Sequence, residues 1–268
     1  MKFENTYTGN WRNAFRGLRH PMESYARSDS EFGILPVDWL NDKSNQIVEK
    51  WVQDEKSPKT KVEAIAYLDK NSVINYDVPN EDYEYALLGP HDIDLAKRMI
   101  SAGTPNDKFL RQIFVCVDIT APLYWWKEAD TYKVATVANS TSTMHKLATT
   151  PITMDCFETD DIENDLIIWP GGGVQSDYSV KDIANDIIMH CEQMRKKYLE
   201  TKDIRYWKEL IRWLPEGWSQ TRTWSANYST LRGIYHWRKN HKLTEWHQFC
   251  DWIKTLPYAD DLIIFDND

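Results

Sequence analysis

Five residues toward the end of the chain recur at spacings of three and four: Trp224, Asn227, Leu231, Tyr235 and Arg238. At that period they share one face of a helix, expected over about 220–239, which sets a guanidinium in line with an indole, an amide and a phenol. An arginine on a face otherwise buried requires an anionic partner. That partner is either a carboxylate of the same protein, the commoner case, or a ligand phosphate gripped by paired N–H donors. A second concentration of chemistry lies at 123–133, Leu-Tyr-Trp-Trp-Lys-Glu-Ala-Asp-Thr-Tyr-Lys, with two indoles, two phenols and four charged groups in eleven residues. Such a cluster either walls a planar ligand or fills a core. The run Ala138-Asn-Ser-Thr-Ser-Thr-Met-His145 follows, rich in hydroxyl and amide groups that bond backbone or phosphate.

Other chemistries find little support. His236, His241 and His247 are five and six residues apart, so they do not stack on a helix face, and His190-Cys191 has no second pair at ligand spacing. No metal site is expected. Cys116, Cys156, Cys191 and Cys250 form no CxxC and read as reduced core residues. GxSxG, HExxH, GxGxxG and GxxxxGK[ST] are all missing, and Gly171-Gly172-Gly173 is read as a flexible loop.

The elements that must position these groups follow from periodicity. Ile113, Val115, Val117 and Ile119 alternate with Phe114 and Cys116, the pattern of a central strand covered on both faces. Ala121-Pro122 ends it, and proline at a first helical position lets a helix begin at once. Helices are expected over 41–50 with Ile47, Val48, Trp51 and Val52 as the stripe, over 62–68, and over 92–101 ending at Gly103. Lys56–Thr60 is read as a separator, the segment 71–84 as polar and acidic with a turn at Pro79-Asn80, and 166–170 as a short strand. Ser179 with Asp182 marks a cap, Asp203 caps a second helix stopped at Pro215-Glu-Gly217, and Thr244 is expected to cap a last helix that turns Trp246, Phe249, Trp252, Ile253 and Leu256 inward. The class is α+β, a central sheet with a helical C-terminal half.

The 268 residues, 42% of them apolar, suffice for one large core, and 13 Trp with 14 Tyr make the chain rich in rings. A formal charge of −9 argues against duplex nucleic acid as a general partner but leaves room for a local anion site. Residues 1–44 are the locally basic exception, with Arg12, Arg16, Arg19 and Arg27, an arm that either covers a site or packs. No apolar run approaches a membrane span and no signal peptide is read, so the expected location is cytoplasmic.

With these stretches in hand, the chain resembles the flavin-dependent thymidylate synthases. That family carries a strand ending in an apolar-Ala-Pro step, then an R-H-R-x-x-S-x-N-E-x-S-x-R motif. Here Ile119-Thr-Ala-Pro122 leads to Thr131-Tyr-Lys-Val-Ala-Thr136, Ala138-Asn139, Thr141 and Thr143. Lys133 keeps a basic group where the motif has its second Arg, and Thr136 and Thr141 keep hydroxyls. Thr131, Tyr132 and Thr143 replace Arg, His and Arg, and Ala138-Asn139 replaces the Asn-Glu pair. The family's aromatic-Trp-x-x-Asn-x-Arg-Ser-Leu stretch, with its nucleotide-gripping Arg seven residues on, is matched by Trp224, Asn227, Thr230, Leu231 and Arg238, with Ser229 where that stretch has Arg.

The resemblance implies a single thymidylate synthase-like domain over 1–268 with 1–44 as a covering arm, assembled as a homo-oligomer, a tetramer. It implies a pyrimidine nucleotide held by Arg238, Asn227, Thr141 and Thr143, and FAD held by Tyr132, Lys133, Thr136 and Asn139. The flavin carries the hydride chemistry in such enzymes, while arginines polarise the pyrimidine. Two functions stay open: a divergent flavoenzyme acting on a pyrimidine nucleotide, or a non-catalytic nucleotide-binding protein that has lost the redox site.

Overall fold

The computed structural model describes residues 1–53, 60–75, 82–142, 147–160, 162, 166–168 and 174–266. The described elements are β1 (Lys2–Gly9), α1 (Trp11–Arg19), β2 (Glu31–Pro36), α2 (Val37–Val52), α3 (Lys61–Asn71), β3 (Val73–Asn75), β4 (Asp82–Leu87), α4 (Pro90–Ser101) and β5 (Phe114–Pro122). They continue as α5 (Leu123–Ala129), β6 (Val137–Ser140), β7 (Leu166–Ile168), β8 (Val174–Ser179), α6 (Val180–Thr201), α7 (Ile204–Trp213), β9 (Ser219–Asn227), α8 (Tyr228–Arg238), α9 (Thr244–Lys254) and α10 (Ala259–Leu262). The class is α+β. Among the described residues no helix is long and apolar enough to cross a membrane. Thr143, the turn at Pro79-Asn80, the triple glycine 171–173, Trp169-Pro170 and most of the expected separator at 56–60 lie outside the described residues.

The chain falls into two compact units, the larger made of Phe3–Val117, Val134–Val137 and Trp224–Asp268, the smaller of Met1–Lys2, Asp118–Lys133 and Ala138–Thr223. Strands β5 and β9 each begin in one unit and end in the other.

In the larger unit β1, β5 and β9 are neighbours in that order. Residues 1–44, expected as an arm, supply β1 and the amphipathic α1, which buries Trp11, Ala14, Phe15 and Leu18. Trp11 meets Tyr228 edge-on at 5.1 Å, and Phe15 meets Phe109 at 5.8 Å. A second, antiparallel sheet has the order β2-β4-β3, with Phe32 and Val73 both opposite Ala86. The 71–84 segment therefore contains two strand starts that polarity concealed. Helices α2 and α3 cover this sheet with Ile47, Val48, Trp51, Ala64 and Leu68. The capping box at α3, Thr60 with Glu63, satisfies the first free amides. Phe249 on α9 collects Trp224, Trp246 and Trp252 around its ring.

In the smaller unit β5, β9 and β6 are neighbours. Here β5 and β9 are linked side by side, with Thr120 bonded to Thr221 at 2.7 Å and Thr223 to Asp118 at 2.5 Å. A separate core joins Leu147, Ile152 and Phe157 to Cys191 and Met194 of α6, Trp207 and Leu210 of α7, and Trp218. The Ser179–Asp182 capping box and the Asp203 cap stand where spacing puts them.

Three expectations require correction. The helix over 220–239 is a strand followed by a helix: β9 alternates, burying Gln220, Trp224 and Ala226, and the helix starts only at Tyr228. Thr221 and Thr223 are β-branched and suit the strand, while the three-and-four spacing of Trp224, Asn227 and Leu231 is coincidental. Strand β5 is fully covered on one face and only partly on the other, where Cys116, Asp118 and Thr120 are half-buried. Val115, Val117 and Ile119 are fully buried but Phe114 is 53% exposed, as suits a sheet with one partly solvated side. Finally, Thr244 is the first residue of α9, behind an N-cap at Leu243, and makes no capping bond.

Candidate functional site

The candidates divide between the units. In the smaller unit, β5 passes into α5 with Pro122 as N-cap rather than first helical residue. The opening amides of α5 are already taken: Leu123 N–H donates to the Trp218 carbonyl at 3.0 Å and Tyr124 N–H to that of Glu216 at 3.1 Å. These two amides are therefore not available to an anion. Its two indoles are core: Trp125 and Trp126 are each 1% exposed and pack edge to face at 4.9 Å. Trp126 Nε1 donates to the Gln220 carbonyl at 3.0 Å.

Over the outer face of Trp126 lies a residue that spacing does not single out, Arg222, 4.3 Å from the ring centre. Its Nη1 bonds Asp130 at 2.8 Å and its Nε bonds Gln220 Oε1 at 2.9 Å. The sequence signal for it is a charge in a stretch of threonines, and its partner Asp130 is 92 positions away.

Past α5, Thr131 Oγ1 donates to the Glu128 carbonyl at 2.7 Å and so closes the helix. Tyr132 is half-buried. Lys133 and Asn139 are exposed, and neither side chain has a partner among the described residues. Thr141 is tied to β9: its amide and hydroxyl both meet the Thr221 carbonyl, at 2.9 and 3.2 Å, and its own carbonyl accepts from Gln220 Nε2 at 2.9 Å.

In the larger unit Asn227 is buried, and its Oδ1 accepts the Thr230 amide at 2.9 Å, the N-cap of α8. Thr230 Oγ1 in turn donates to the Val134 carbonyl at 3.2 Å, which anchors the segment carrying the half-buried Thr136. At the other end of α8 the guanidinium of Arg238 lies over the indole of Trp246, 4.5 Å from its centre. Earlier on the same helix, Arg232 stacks on Phe265 at 4.5 Å and donates to the carbonyls of Ile263 and Phe265. Burial holds its pKa below the usual arginine range. His236 is also shifted down, first by burial and then by the neighbouring Arg232 and Lys239 charges. Arg238 closes α8 and Lys239 follows it, the favourable sign for a helix C-terminus, with Lys239 paired to Asp266 at 3.2 Å. Among the described residues no three His, Cys, Asp or Glu side chains converge as metal ligands.

Thymidylate synthase X of Helicobacter pylori, solved with FAD and dUMP, superposes with a TM-score of 0.56 at 13% identity, over 98% of this chain and 98% of that one. The chain has the thymidylate synthase X fold. A second structure of that flavin-dependent enzyme gives a TM-score of 0.47 at 13% identity over 87% and 95% of the two chains. A UMP/dUMP methylase, PolB of Streptomyces cacaoi, gives 0.44 at 14% identity over 65% and 83%. No family sequence model and no curated protein matches. Thr131, which the sequence resemblance sets at the motif's first Arg, hydrogen-bonds its own helix.

Proposed function

We propose that this protein binds a pyrimidine nucleotide, with Arg238 holding the phosphate, and that it takes FAD as cofactor. The observation that carries the reading is Arg238, a half-buried guanidinium laid over Trp246. Stacking of this kind fixes the plane of the guanidinium and sets its edge of N–H donors in one orientation, the geometry that paired contacts to an anion require. The fold likeness to a protein solved with FAD and dUMP supports the same ligands. Asn227 sets the start of α8 and hence where Arg238 falls. Thr141 and Thr143 are the remaining nucleotide candidates.

For the flavin, the residues present fit in part. Lys133 and Asn139 offer exposed donors with no partner among the described residues, and Tyr132 and Thr136 are the further candidates. Bound flavin supplies hydride chemistry. What this chain contributes is weak polarisation, because Thr131 is used in closing α5 and Lys133 is the remaining cation of the motif. That observation favours a second reading for catalysis: a nucleotide- and flavin-binding protein without thymidylate synthesis.

We also propose self-association, as a tetramer. In the larger unit Trp237 is 83% exposed and Val134 and Val137 are 82% and 70% exposed, apolar surface that a partner subunit covers.

The test is direct. Purified protein is expected to show flavin absorbance, to release FAD on denaturation, and to bind dUMP by calorimetry. Colourless protein that neither takes up added FAD nor binds dUMP refutes the reading.

A further inference from the structure

The segment 12–32 of the larger unit builds a cleft of about 380 Å³ that none of the nucleotide or flavin candidates enters. Its apolar surface comes from Phe15, Tyr25 and Phe32, and its charge from Arg12, Arg16 and Arg19; Ser28 and Ser30 complete it. Among the described residues no Asp or Glu lines it, in a chain whose net charge is −9.

The three arginines are not equivalent. Arg19 is buried and neutralised, its Nε and Nη2 both 2.5 Å from Asp92 Oδ1, and its Nη1 donates to the Ser24 carbonyl at 3.2 Å. Arg12 is exposed and fixed at the rim by one bond, Nη2 to the Phe32 carbonyl at 2.6 Å, which leaves its other donors for a ligand. Arg16, one turn further along α1, is exposed and has no hydrogen bond or ion pair among the described residues. Like charges four apart on a helix disfavour it, so Arg12 and Arg16 cost α1 stability unless an anion neutralises them. Of the serines, Ser28 Oγ donates to Asp92 Oδ2 at 2.6 Å, whereas Ser30 Oγ accepts from Gly89 N–H at 3.0 Å and keeps its own proton to donate. Tyr25 is held in place by a hydrogen bond between its hydroxyl and His20 Nδ1, and the two rings meet edge-on at 5.5 Å.

We infer that this cleft is a second ligand site, for a planar aromatic ring bearing a phosphate or carboxylate. The volume lies in the range of small-molecule sites, roughly 300–1,000 Å³. Tyr25 and Phe32, the more exposed of the aromatic side chains, take the ring by stacking, and Arg12 and Arg16 take the anion with charge-assisted bonds. The site is independent of Arg238, so it stands whether or not the reading above does.

A nucleoside monophosphate, AMP, joins the two required parts in one probe, and inorganic phosphate and adenosine separate them. Titration calorimetry on the full chain is expected to show AMP binding at least tenfold tighter than either part. Arg16→Ala is expected to weaken AMP at least tenfold, Arg16→Lys less, and Arg238→Ala not at all. Because Arg16 bonds nothing among the described residues, unchanged circular dichroism is expected for its variants. Hydrogen exchange should slow within 12–32 when AMP is added. No AMP binding, equal affinity in Arg16→Ala, or adenosine binding as tightly as AMP overturns the proposal. Loss of dUMP binding in Arg238→Ala with AMP binding retained separates this site from the one proposed above.

Discussion

The guanidinium of Arg238 rests on the face of Trp246, 4.5 Å from the ring centre, and so ties the last residue of α8 to the first turn of α9. The ring's negative face favours the charge in its half-buried position, and only a planar cation can use the arrangement fully. Charge-assisted contacts contribute about 1.5–3 kcal/mol, so Arg238→Ala is expected to weaken dUMP binding roughly ten- to a hundredfold. Arg238→Lys should recover little of it. Unchanged calorimetry in a folded Arg238→Ala protein removes the phosphate assignment.

Thymidylate synthesis is expected to be absent. Thr131 bonds the Glu128 carbonyl, and Lys133 is a mobile point charge that cannot reproduce an arginine's paired donors. Loss of one oxyanion-type donor already lowers rates about 10²–10³-fold. dUMP labelled with tritium at carbon 5 should therefore release no label with added FAD and reduced nicotinamide. Release that disappears in Lys133→Ala shows a working synthase instead.

Asn227 is a nucleotide candidate by resemblance, and its carboxamide oxygen caps α8 through Thr230 N–H at 2.9 Å. Asn227→Ala should cost about 1 kcal/mol, while Asn227→Asp, which accepts the same bond, should cost much less. The denaturant midpoint measures this. Equal losses in both variants indicate that the cap is not what the side chain contributes.

In the smaller unit Glu192 grips Arg195 with both oxygens, each bond 2.7 Å, and also accepts the Ile152 amide at 2.9 Å. The bond from Arg195 is the main reason its pKa falls below the ordinary glutamate value of 4.5, with the Ile152 amide adding to it. A carboxyl whose folded pKa is depressed stabilises the fold above the ordinary value, and that stability disappears as pH falls through the folded pKa. Glu192→Gln should cost roughly 2–3 kcal/mol at neutral pH. The variant should also show a shallower loss of stability below pH 4.5. Parallel stability curves for the two proteins would contradict this.

What the sequence discloses well is local. The Ser179–Asp182 and Asp203 caps, the buried Ile47, Val48 and Trp51 of α2, whose expected fourth stripe residue Val52 is instead 41% exposed, and the helix stop at Gly103, which sits at φ +69°, all depend on residues a few positions apart. Strand β9 is hidden because Trp224, Asn227 and Leu231 fit a helical period while Gln220, Trp224 and Ala226 fit a period of two, and nothing local decides between them. Of the candidate site, residue types are legible but partners are not. Trp246 beneath Arg238 and Asp130 beside Arg222 come from other elements, and the hydroxyl run at 138–143 gives no hint that Thr141 is bonded into β9. The cleft at 12–32 is built from neighbouring residues, and its basic character is visible in the sequence alone.

The pairing of β5 with β9 also sets a timetable for the nascent chain. Thr120 meets Thr221 and Asp118 meets Thr223 across separations of 101 and 105 residues, so the partner of β5 is synthesised long after β5 itself. At ~5–20 residues per second, several seconds pass in which Val115, Val117 and Ile119 have no finished sheet to enter. Closing so long a loop is also slow in refolding from denaturant, because its entropy cost precedes the reward of contact. The interval is when this chain is most exposed to aggregation, and when a chaperone would matter most to its yield.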